Sequence, residues 1–72
     1  MNYIMTQNGK NIVPMNDIIW IRKIYGSEDY NIVYGKDFTI GTYKNEECAK
    51  NVLFNIMCSV NQDYKVFRMP KD

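Results

Sequence analysis

Short apolar runs separated by turn residues fill the first 43 positions, the pattern of successive strands. Tyr3-Ile4-Met5 predicts a short strand, and Asn8-Gly9 is a strong two-residue hairpin signal. Ile12-Val13 follows, and Pro14 confines that segment to an edge or a bulge because proline donates no ladder hydrogen bond. After Asn16-Asp17, Ile18 to Tyr25 is the longest β-rich run, turned by Gly26-Ser27-Glu28-Asp29. Tyr30 to Tyr34 pairs with Phe38 to Tyr43 across Gly35-Lys36-Asp37, and Tyr64 to Met69 resumes the strand pattern before Pro70 stops it.

Between these strands the period changes. Asn45 suits a helix N-cap, and Glu46 and Glu47 place negative charge on the first turn, where the helix dipole favours it. Ala49, Val52, Leu53, Ile56, Met57 and Val60 recur at helical spacing as one apolar stripe, and Asn61-Gln62-Asp63 ends the helix. Five strands, a helix and a last strand predict an α+β fold over residues 1–72. Its antiparallel sheet has five to six short strands, with the amphipathic helix packed on one face. Alternation puts Ile19, Ile21, Phe38 and Ile40 towards the helix and Trp20, Arg22, Gly41 and Tyr43 away from it. Val66 and Phe67 leave the last strand's facing open.

A length of 72 residues allows one domain, and such a chain buries only about 60% of the surface its unfolded form exposes. Extra stability must then come from a cross-link, a metal or a second subunit. Cys48 and Cys58 sit ten residues apart on one helix, about 15 Å, whereas a disulfide tolerates roughly 7 Å between Cα atoms. Without histidine and with two distant cysteines, a zinc site is also disfavoured, which leaves oligomerisation. The net charge of +1 argues against DNA coating. No stretch approaches the roughly 20 apolar residues of a membrane span, and no signal pattern opens the chain, so a cytoplasmic setting is expected. Ile, Asn, Lys and Tyr supply 31 of the 72 residues against nine for Gly, Ala, Arg and Pro, a bias towards AT-rich codons.

Candidate chemistry is sparse. The chain holds no histidine-based triad, phosphate loop, dinucleotide fingerprint or metal-spaced cluster, and its carboxylates fall in turns or at the helix start. A binding protein is expected rather than an enzyme, with no cofactor. Aromatic residues are the stronger signal, because Trp20 and Tyr43 offer flat surfaces on which a base can stack. Arg22 and Arg68 offer guanidinium groups that bind phosphate in bidentate fashion. The alternative reading packs these rings against another copy of the chain. On the helix, Phe54 and Cys58 stand at i and i+4 opposite the stripe, a candidate contact patch beside the stem of Lys50.

The run Gly41-Thr42-Tyr43-Lys44-Asn45-Glu46-Glu47-Cys48-Ala49-Lys50-Asn51-Val52-Leu53 resembles a G-x-Y-x-x-E-E-x-A-x-x-V-L pattern of small proteins from low-GC Gram-positive bacteria and their phages. Tyr3 to Lys10 and Val66 to Pro70 resemble the two ends of the same proteins. Asn45 replaces the usual serine or threonine, and Phe54 and Cys58 stand where charged residues are usual, which points to a contact through the helix. The resemblance implies a phage anti-defence protein. One form is a homo-oligomer that sequesters a nucleotide-derived immune signal, as counter-defence proteins against Thoeris and cyclic-oligonucleotide systems do. The other is an anti-CRISPR-like inhibitor or adaptor acting on a larger host defence protein.

Overall fold

A computed structural model describes residues 2–60 and 66–71 of the chain. The elements run β1 (Tyr3–Met5), β2 (Ile12–Pro14), β3 (Ile19–Lys23), β4 (Tyr30–Tyr34), β5 (Phe38–Tyr43), α1 (Glu46–Val60) and β6 (Val66–Arg68). The fold is α+β, with the helix packed on β3, β4 and β5. The expected helix stop at residues 61–63, the start of the last strand and Tyr64 lie outside the described residues.

The strands divide into two sheets of three. β3, β4 and β5 form an antiparallel meander, while β1 sits between β2 and β6 in the other sheet. There β1 pairs antiparallel with β2 and parallel with β6. A parallel neighbour needs a long crossover, and the chain from β2 through α1 supplies it. Pro14 lies on an outer strand, as its missing N–H requires. The turn at Asn8-Gly9 forms, but the β1–β2 connection spans residues 6–11 rather than two residues. Gly9 takes φ +72°, and its N–H donates to the Thr6 carbonyl at 2.8 Å. The Asn8 side-chain oxygen accepts from the Thr6 hydroxyl and the Lys10 N–H, which closes the loop.

A bulge changes which side chains meet the helix. Along β4 and β5 the register passes from Ile32↔Gly41 to Val33↔Thr39, so Ile40 is an extra residue. An extra residue reverses the alternation beyond it. Gly41 and Tyr43 therefore lie on the core side, not on the outer face that simple alternation assigns them. Tyr43 is 2% exposed. Phe38, expected in the core, pairs with Tyr34 at the end of the hairpin and stays 41% exposed.

The core gathers Ile4, Ile32, Ile40, Tyr43, Ala49, Val52, Ile56 and Met69. Asn45 caps α1, its side-chain oxygen accepting the Cys48 N–H at 2.8 Å. The buried helix positions are Ala49, Val52, Ile56 and Ser59, with the Ser59 hydroxyl donating to the Ile56 carbonyl at 2.7 Å. Met57 and Val60, expected in the core stripe, are 58% and 55% exposed. The apolar sector of α1 is wider than the three-stranded sheet beneath it can cover.

Candidate functional site

On the face of the meander away from α1, Trp20 and Arg22 stand two residues apart on β3. The Trp20 indole N–H donates to the Gly35 carbonyl at 2.9 Å, which fixes the ring plane. The Arg22 guanidinium lies over that ring, 5.6 Å from its centroid. It also pairs with Asp37 at 2.5 Å and reaches the Thr39 hydroxyl at 3.4 Å. Opposite Trp20 in the register, Val33 is fully buried, so this face has a small apolar centre of its own. The four residues expected to bind a ligand do not converge. Trp20 and Arg22 share one face, Tyr43 is inside the core, and Arg68 belongs to β6 of the other sheet. Any phosphate meeting Arg22 must compete with the carboxylate of Asp37.

The Tyr43 hydroxyl donates to the Pro70 carbonyl at 2.6 Å, so both ends of that side chain are committed to packing. Its ring approaches Gly41, where an added Cβ would stand 2.9 Å from the ring edge and 2.9 Å from the Met69 methyl. Glycine at this position makes room for the tyrosine.

The other candidate surface is a groove of about 510 Å³ along α1. Leu53, Phe54, Met57 and Val60 form its helix wall, and Met15 and Ile19 form the wall on the side of β3. Phe54 is 57% exposed, so three large apolar side chains of one helix flank face solvent together. Asp17 and Lys50 add one charge of each sign. The Phe54–Cys58 pair is divided by this geometry. Phe54 lines the groove, whereas Cys58 is a half-buried free thiol outside its lining. The sequence points Ile19 towards the helix and sets Asp17 in a turn, but gives neither these two nor Met15 a place in a site. The visible signal was the breadth of the helix's apolar sector, with Phe54 beside Leu53 and Met57.

Among the described residues, no three cysteine, aspartate or glutamate side chains converge as a metal centre requires. None of the buried side-chain polar atoms there lacks a partner. No helix among them is long and apolar enough to cross a membrane. Comparison with family models, curated proteins and solved structures finds no match to the chain.

Proposed function

We propose that the chain is a protein-interaction module that works through the groove along α1. The observation that carries this reading is the apolar flank of Phe54, Met57 and Val60, each more than half exposed, which with the half-buried Leu53 lines a groove beside Met15 and Ile19. Burial of such side chains contributes roughly 1.5–3 kcal/mol each, so a cluster of this size is a natural binding hot spot. In the phage setting implied by the strand-to-helix resemblance, the module inhibits or adapts a larger host defence protein. A benzophenone side chain installed at Phe54 in producing cells tests it. It is expected to give a discrete cross-linked species that the same probe at Lys36 does not give, and that Met57→Glu removes without unfolding the chain. Failure to form any discrete adduct at Phe54 overturns the reading.

A second reading keeps a nucleotide-derived signal as the ligand, captured by a homo-oligomer on the outer face. The stacked Trp20–Arg22 pair supports it, combining a flat ring with a cation. Tyr43 and Arg68 drop out of that site, so its binding surface is smaller than the sequence implied. Calorimetric titration with cyclic isomers of adenosine diphosphate ribose and with cyclic dinucleotides is expected to give heat that Trp20→Ala abolishes. Absence of heat with all of them removes this reading.

A further inference from the structure

The backbone of β3 is as informative as the side chains beside it. The Ile24 N–H donates to the Asp29 carbonyl at 3.1 Å, and the Gly35 N–H donates to the Ile18 carbonyl at 2.7 Å. In an antiparallel ladder, hydrogen-bonded pairs alternate with non-bonded pairs. These two bonds therefore make Trp20↔Val33 and Arg22↔Asn31 the bonded pairs of the β3–β4 register. Ile19, Ile21 and Lys23 then turn their N–H and C=O groups away from β4. β3 is the last strand of its sheet, so among the described residues no strand receives those groups.

The other outer strands are protected in ways that β3 is not. β2 and β6 are three residues each, and β2 carries Pro14. The free edge of β5 is taken by Gln7, whose N–H donates to the Ile40 carbonyl and whose side chain pairs with both backbone groups of Thr42. β3 is five residues long, and among the described residues no backbone or side-chain group pairs with its outward edge. Its edge also borders the groove, since Ile19 lines that groove.

We propose that β3 pairs with β3 of a second copy, antiparallel about a two-fold axis at Ile21, to make a six-stranded sheet. This rests on the reading of the groove as a protein-contact surface: the second copy takes the β3 edge at one wall of that groove and leaves its helix wall of Leu53, Phe54, Met57 and Val60 to the larger partner. The outward groups fit one another in this register, because Ile21 meets Ile21 and Ile19 meets Lys23 of the other copy. All three residues exchange both backbone bonds with their opposites. On the outer face, Trp20 of each copy lies opposite Arg22 of the other, an aromatic ring facing a cation with no like charges opposed. On the helix side, Lys23 of each copy lies beside Ile19 at the wall of the other's groove, where Asp17 offers its ammonium an opposite charge. A two-fold contact demands such self-complementarity.

Light scattering at about 100 µM is expected to return twice the 8.5 kDa chain mass. Lys23→Pro is the decisive variant. It removes an N–H that faces away from β4, at an exposed side chain, so the monomer's ladder stays intact by circular dichroism. The substitution deletes one edge bond from each copy and is expected to weaken dimerisation about tenfold or more. In a Cys48→Ser, Cys58→Ser background, chains bearing Trp20→Cys mixed with chains bearing Arg22→Cys are expected to form an interchain disulfide on oxidation. Facing Cα atoms of such a non-bonded pair lie about 4.5 Å apart. A strictly monomeric wild-type chain overturns the proposal, as does a dimeric mixture that gives no such disulfide. A dimer that resists Lys23→Pro but dissociates with Phe54→Glu overturns the β3 pairing and leaves the groove reading standing.

Discussion

Tyr43→Ala is expected to lower the unfolding free energy by about 3–5 kcal/mol, the usual cost of deleting a buried aromatic ring. A 72-residue domain has roughly 4–10 kcal/mol in total, so the variant should be largely unfolded at modest urea concentrations. The cost arises in two places. The ring is 2% exposed in a core shared with Ile32, Ile40 and Ile56, and Gly41 cannot fill the space it leaves. The hydroxyl also holds the Pro70 carbonyl at 2.6 Å, which ties the segment after β6 to β5. Tyr43→Phe keeps the ring and loses that bond, and is expected to cost about 1 kcal/mol. Urea denaturation followed by circular dichroism separates the two terms. A Tyr43→Ala chain as stable as wild type would return the ring to the role of a stacking platform.

Gln7→Ala is the second large effect, expected at about 2–3 kcal/mol from the loss of several side-chain bonds at once. The Gln7 amide donates to the Thr42 carbonyl at 3.1 Å and the Lys71 carbonyl at 2.8 Å, and its oxygen accepts the Thr42 N–H at 2.9 Å. It thus acts as one residue of an extra strand on β5 and anchors the segment after β6 as well. Gln7→Glu distinguishes this from simple packing. The carboxylate still accepts from Thr42 but turns both donors into acceptors that face carbonyls, so it should destabilise at least as much as alanine at neutral pH. If Gln7→Glu proves neutral in the same denaturation assay, the bridge carries no weight.

The parts of the fold legible in the sequence were those set by local chemistry. β4 and β5 run from Tyr30 to Tyr34 and from Phe38 to Tyr43, as the flanking turn residues indicated. Asn45 caps α1, and Pro14 sits on an outer strand. The bulge at Ile40 was not legible, because Phe-Thr-Ile-Gly-Thr-Tyr alternates acceptably in either phase until pairing with β4 decides it. That one residue moved Tyr43 from the candidate ligand face into the core. The division into two sheets depended on where β6 docks, a contact between residues more than sixty positions apart. The helix flank was half legible. Phe54 stood out as a departure from polarity, whereas Met57 and Val60 looked like core because helical spacing does not report the width of the sheet below. Met15, Asp17 and Ile19 joined the groove only through tertiary packing.

The placement of β6 beside β1 also sets an order of assembly during synthesis. The β1–β2 hairpin is made before its partner β6, yet two strands alone are marginal in water, and the third strand of their sheet follows only after α1. The meander and helix, contiguous from residue 19 to residue 60, join through short loops and make mostly near-neighbour contacts. This unit can condense while the opening hairpin waits. The Tyr43 and Gln7 bonds to residues 70 and 71 close only after β6 is made, so a nascent chain stopped before residue 66 lacks the third strand of its first sheet.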